Sequence, residues 1–107
     1  MNITSADFSS LGPDQIIDAV ENAIGQRMTG FTSPLPSYIN RVYELQTMAG
    51  ERLIAKFYRP GRWSKSAIEE EHEFMQDCSL AEVPVVLPMI LGDGSTLGEV
   101  DGIYFAV

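Results

Sequence analysis

The sequence predicts an α+β fold: an antiparallel sheet of about five strands, an amino-terminal helix, and a second helix inserted after the third strand. Three observations predict it. Apolar residues recur at helical spacing in two segments, 13–24 and 64–78. Short runs of β-favouring residues, bounded by Gly, Pro, Asn or Asp, occupy much of the rest. Neighbouring runs are joined by turn signals such as Ala49-Gly50-Glu51, which is hairpin chemistry and implies an antiparallel meander with its helices on one side.

Each element has its own grounds. Residues 1–11 are polar with scattered apolar positions and are expected to be loosely ordered. Pro13 follows Gly12 and opens the first helix, where its missing N–H costs nothing. Ile16, Ile17, Val20, Ala23 and Ile24 form its stripe, and Gly25 ends it. Residues 27–35 make a bent or edge strand, because Gly30 and Pro34 interrupt Thr29, Phe31 and Thr32. Residues 40–47 and 52–58 make the second and third strands. Arg59-Pro60-Gly61 breaks the third strand, Ser64 caps the second helix, and Glu69-Glu70-Glu71 suits its amino-terminal half. Residues 85–91 read as a very apolar strand, Gly92-Asp93-Gly94 as a turn, 96–100 as a returning strand, and 103–107 as the last strand after Asp101-Gly102.

Composition bounds the function. A chain of 107 residues, 45% apolar, has enough core for one domain, 1–107, and is not a disordered segment. Net charge is −8, from 7 basic and 15 acidic residues. That balance argues against nucleic acid and against an anionic membrane surface as partners. Five of the seven basic residues nevertheless cluster as Arg52, Lys56, Arg59, Arg62 and Lys65. The lone cysteine, Cys78, excludes an internal disulfide and fits a reducing, cytoplasmic compartment. No signal peptide or spanning segment is read. The single histidine, His72, has no metal-ligand spacing around it and is expected at the edge of the second helix.

Chemistry concentrates on two residues. Ile54, Lys56 and Tyr58 share one face of the third strand, because side chains alternate along a strand. A lysine on a covered face needs a partner, since a desolvated ammonium is costly. Glu71 falls on the stripe of the second helix with Ile68, Met75 and Cys78, and fifteen residues separate it from Lys56. We therefore expect a Lys56–Glu71 pair, the arrangement by which a strand lysine and a helix glutamate hold nucleotide phosphates. The competing reading is a solvated face with Glu71 reaching water. Ser37, Tyr38, Ile39, Asn40 and Arg41, between the first two strands, could cover phosphates with backbone N–H groups and a hydroxyl. They lack the glycines of a phosphate loop, so a plain turn is the competing reading there.

Longer strings carry a resemblance. Ser37-Tyr38-Ile39-Asn40-Arg41-Val42-Tyr43, Ala55-Lys56-Phe57-Tyr58-Arg59-Pro60-Gly61-Arg62-Trp63, Glu70-Glu71-His72, Val83-Pro84-Val85 and Gly102-Ile103-Tyr104-Phe105-Ala106-Val107 resemble one small lobe. It is that of the bacterial stress-response Ser/Thr protein kinases, within the aminoglycoside phosphotransferase and choline kinase-like superfamily. The resemblance implies a protein kinase-like small lobe that binds ATP. Lys56 would meet the α- and β-phosphates and Glu71 would orient it. Ser37, Tyr38, Ile39, Asn40 and Arg41 would lie over the phosphates, and Ile54 would form part of the adenine ceiling. The catalytic loop of the H-G-D-x-H-x-x-N type and the later metal-binding aspartate are not among these residues. The Mg2+ ligands, the catalytic base and the protein-substrate platform would then belong to a carboxyl-terminal lobe. Met1 reads as a natural start, and the chain as a lobe inactive alone and prone to self-association. The resemblance also leaves room for a small-molecule kinase of aminoglycoside, choline or homoserine type, and for a non-catalytic interaction module.

Overall fold

The computed structural model describes residue 8 and residues 11–37, 40–61, 63–81 and 87–107. In chain order the elements are α1 (Pro13–Ile24), β1 (Met28–Leu35), β2 (Arg41–Thr47), β3 (Arg52–Phe57), α2 (Lys65–Leu80), β4 (Gly98–Val100) and β5 (Ile103–Ala106). The five strands form one antiparallel sheet in the order β1-β2-β3-β5-β4. This is the predicted α+β arrangement, consistent with a kinase-like small lobe. It is a meander only as far as β3. The chain then crosses through α2, and the last hairpin inserts β5 beside β3.

Local chemistry fixes the ends. Gly12 precedes Pro13, and its N–H donates to Gln15 Oε1 at 3.1 Å. Gly25 closes α1 in the left-handed region (φ 72°), with its N–H on the Glu21 carbonyl. Met48-Ala49-Gly50 makes the β2–β3 turn between the bonded residues Thr47 and Glu51, with Gly50 at φ 93°. Ser64 caps α2 by accepting the Ala67 N–H at 3.1 Å. Asp101 (φ 50°) and Gly102 (φ 79°) both take the positive φ that a two-residue hairpin between Val100 and Ile103 demands.

Alternation along β3 and β5 sorts the core into two faces. Ala55, Phe57, Ile103 and Phe105 turn towards α1, where Ile16 and Val20 complete the packing with Leu45 and Met28. Phe57 stacks on Phe105 at 5.1 Å between centroids. Tyr58 and Ala106 belong to the other face, with Ile68 of α2 and Leu97. The helices therefore cover opposite faces of the sheet, contrary to the expectation of one side. Both faces of β3 carry apolar or aromatic residues, so each can bury a helix.

Two further expectations are corrected. Phe8 and Leu11 are buried in the α1-side core rather than loosely ordered. The guanidinium groups of Arg41 and Arg59 lie 5.1 and 5.5 Å from the Phe8 ring centroid, which holds that residue down. Residues 87–91 are not a strand. Pro88 has no N–H to donate, and the Gly92 N–H goes to the Ala23 carbonyl of α1 at 2.8 Å, drawing the chain away from the sheet. One bond keeps it near β5, from Met89 N–H to the Val107 carbonyl at 2.8 Å. The remainder of the expected strand, 85 and 86, lies outside the described residues.

Candidate functional site

The face of the sheet that α2 covers is only partly filled. A groove of about 410 Å³ runs along β3, floored by Ile54, Lys56, Tyr58 and Ala106, with Glu71, His72 and Met75 of α2 on one side. Leu87, Pro88, Met89 and Val107 form its far end. The sheet register sets this floor, because Lys56 pairs with Val42 on one side and with Ala106 on the other.

Ile54, Lys56 and Glu71 thus line one groove. The other sequence candidates lie elsewhere. Ser37 is exposed in the β1–β2 connection. Asn40 is spent on structure, its Oδ1 accepting the Arg59 N–H at 3.0 Å. Arg41 opens β2 and stacks on Phe8. Tyr38 and Ile39 lie outside the described residues. None of Ser37, Asn40 or Arg41 borders the groove. Arg41 pairs with Phe57 and Val42 with Lys56, so β2 begins opposite the Lys56 end of β3.

The expected Lys56–Glu71 ion pair is not formed: among the described residues these two do not come within ion-pair distance. Glu71 is exposed, and the buried residues of α2 are Ile68 and His72. The helix is rotated slightly from the expected phase. A neutral imidazole with two partners costs far less to bury than a carboxylate, which explains the preference. Lys56 is half-buried and has an aromatic neighbour instead, its Nζ lying 5.0 Å from the Tyr58 ring centroid.

His72, expected at the helix edge, is 6% exposed. Its Nε2 lies 3.1 Å from Tyr58 Oη and its Nδ1 lies 2.6 Å from Thr96 Oγ1. In a neutral ring one nitrogen donates and the other accepts, and both hydroxyls can do either, so every group is satisfied. Burial pushes the His72 pKa down, while the nearby Glu71 carboxylate raises it and the Lys56 ammonium lowers it. Burial first, and then Glu71, push the Tyr58 pKa up to about 12. The two hydrogen bonds contribute about 1 kcal/mol each. Burying Ile68 adds roughly 1.5–3 kcal/mol. Hydrogen bonding through His72 is therefore a comparable share of what docks α2.

Sequence reasoning missed His72 and Thr96 as site residues. The signal was present in part, because Ile68, His72 and Met75 fall at i, i+4 and i+7, as good a helical stripe as the one that includes Glu71. Thr96 had no local signal, since its role depends on where the β4–β5 hairpin returns.

Among the described residues no three His, Cys, Asp or Glu side chains converge to hold a metal ion. Among them, too, no helix is long and apolar enough to cross a membrane. Residues 32–107 match the model of the phosphotransferase enzyme family. The whole chain is 43% identical to stress response kinase A of Shigella flexneri and of Escherichia coli K12, covering 32% of each. It is 39% identical to the serine/threonine protein kinase RdoA of Salmonella typhimurium, again covering 32% of that protein. The chain thus spans about a third of the length of the curated relatives it matches.

Proposed function

The chain belongs to the phosphotransferase enzyme family, and from that membership we propose that it is the ATP-binding small lobe of a cytoplasmic Ser/Thr protein kinase. The observation that carries the reading is the groove along β3. It offers an ammonium, Lys56, set on a floor between Ile54 and Tyr58 and opposite Ala106, with a carboxylate, Glu71, in the same lining. An ammonium suits the α- and β-phosphates, and an apolar floor suits an adenine ring. Glu71, exposed and unpaired with Lys56 here, would turn onto the ammonium once phosphates order it. Ser37, Tyr38, Ile39, Asn40 and Arg41 would cover those phosphates with backbone N–H groups; the start of β2 at Arg41, opposite Phe57 beside Lys56, supports this.

Among the described residues the groove has one acidic side chain and no convergent donor set, so these residues do not fit a resident Mg2+. The magnesium ligands, the catalytic base and the protein-substrate platform are assigned to a carboxyl-terminal lobe. Relatives about three times as long support that assignment. The second lobe would also cover the exposed apolar residues Ile54 and Leu87 that line the groove.

The test is transfer of the ATP γ-phosphate to protein Ser/Thr by the full gene product carrying this chain. Lys56→Met is expected to lower kcat/KM by on the order of 100-fold, the scale of one preorganised electrostatic contact. Full activity in that variant, or no affinity for ATP in the wild type, overturns the reading.

A further inference from the structure

We infer that His72 is a positioning residue: through Tyr58 and Thr96 it clamps α2 to the sheet and so sets where Glu71 stands relative to Lys56. The inference rests on the nucleotide reading for its purpose, but the clamp itself rests on geometry alone.

Something other than a salt bridge must set this helix. Glu71 and Lys56 do not reach each other, and only Ile68 and His72 of α2 are buried. Ile68 is apolar and fixes no direction. His72 does, because its two ring nitrogens bind two different parts of the sheet. Tyr58 directly follows β3, its N–H still bonded to the Tyr104 carbonyl of β5, and Thr96 lies just before β4. A planar ring held at both nitrogens fixes the rotation of the helix about its axis. Glu71, adjacent in sequence, inherits that rotation.

Tyr58 joins the clamp to the lysine. Its ring faces the Lys56 ammonium at 5.0 Å, and its hydroxyl lies 3.1 Å from the imidazole. One buried tyrosine therefore sets the lysine with its face and the glutamate's helix with its edge. The charged groups acting on the imidazole are Lys56 of β3 and Glu69 and Glu71 of α2. Neutral, the ring satisfies both hydroxyls without drawing either carboxylate inwards.

His72 is the chain's one histidine, so imidazole NMR signals need no assignment. We expect a single fixed tautomer with a slowly exchanging ring N–H. Tyr58→Phe keeps the ring under Lys56 and deletes the hydroxyl; Thr96→Val keeps the shape and deletes the partner. Each is expected to speed amide exchange along α2 about fivefold, the scale of one net hydrogen bond. His72→Phe should exceed either. A ring averaging between tautomers, or unchanged α2 exchange in the isosteric variants, overturns the clamp.

The positioning role has a separate readout. In Tyr58→Phe and Thr96→Val, ATP affinity should fall about fivefold while adenosine affinity holds, since only phosphates need the lysine and glutamate placed. A parallel fall in both affinities would make His72 merely structural and overturn the role. A wild-type chain that binds neither ligand overturns the nucleotide reading instead, and the tautomer and exchange data then decide the clamp.

Discussion

The two faces of the sheet are built on different principles. Among the described residues, the α1 face holds ten buried apolar residues in one cluster that includes two stacked phenylalanines, and the buried Thr47 beside Met28 bonds within its own β2–β3 turn. The α2 face clusters four, Tyr58, Ile68, Leu97 and Ala106, and adds the hydrogen bonds that His72 makes to Tyr58 and Thr96. Apolar packing is non-directional and grows with area, so the first face gives stability. Hydrogen bonds add little net energy but fix orientation, so the second face gives placement. A groove of about 410 Å³ stands open beside α2, and another of about 540 Å³ beside α1.

The largest expected effect tests the first face. Phe57→Ala removes a side chain with no exposure that stacks on Phe105 and meets Tyr43 edge-on at 6.0 Å. The loss is expected to be about 3–5 kcal/mol, from lost transfer energy and the cavity left behind. For a domain this small that approaches its whole stability. Urea unfolding checks it. A loss near 1 kcal/mol would mean that the α1 face is not the stabilising one.

Gly98→Ala comes next, at about 1–3 kcal/mol of overpacking. An added Cβ would stand 2.4 Å from the Phe105 ring. Gly98 pairs with Phe105 across the hairpin, so the ring lies over the glycine and ring or strand must shift to admit the methyl. The same unfolding measurement applies, and an unchanged midpoint would show that β4 shifts freely at the sheet edge.

Acid and alkali address the second face. The Tyr58 pKa is raised, so its contribution is present below pH 10 and is lost as pH rises from 10 towards 12. Allowing for partial solvation, the loss is on the order of 1–2 kcal/mol, and Tyr58→Phe should flatten that limb of the melting-temperature profile. The His72 pKa is lowered, so its contribution is complete above the ordinary value of 6.5 and is lost as pH falls below it towards the folded-state value. His72→Phe should remove that acid limb. A wild-type profile flat on both sides would mean that the clamp is solvated.

The difference between the faces also explains what the sequence made legible. α1 was readable to the residue because Gly12-Pro13 and Gly25 mark both ends and its stripe is apolar throughout. Strands β2 and β3 were readable from Gly50 and Pro60 at their limits. Side-chain alternation along β3 put Ile54, Lys56 and Tyr58 on one face, and all three line the groove. The phase of α2 was not readable, because two stripes one residue apart differ only in whether a carboxylate or an imidazole is buried. What decides between them is the pair of hydroxyls on Tyr58 and Thr96, 14 and 24 residues away. The choice of faces for the helices, and the loss of a strand at Pro88, likewise depended on partners distant in sequence.

The smallest effect bounds the comparison from outside. Arg52 meets Glu44 at 3.5 Å, with side chains 51% and 31% exposed, and its guanidinium lies 4.5 Å over the Phe31 ring. Both contacts lie at the Arg52 end of β3, and Arg52 also lines the groove shared with Lys56 and α2. An exposed pair of this kind contributes about 0.2–1 kcal/mol, and salt screens it. Glu44→Gln should therefore cost well under 1 kcal/mol, with the difference vanishing at high ionic strength. Arg52→Ala should cost slightly more, because it also uncovers Phe31 and loses the cation–π contact. Urea midpoints at low and high salt separate the two contributions. If Glu44→Gln cost as much as Gly98→Ala, and the cost persisted in salt, the Arg52 end of β3 would be a buried electrostatic site. The division into a packed face and a hydrogen-bonded face would then need a third region.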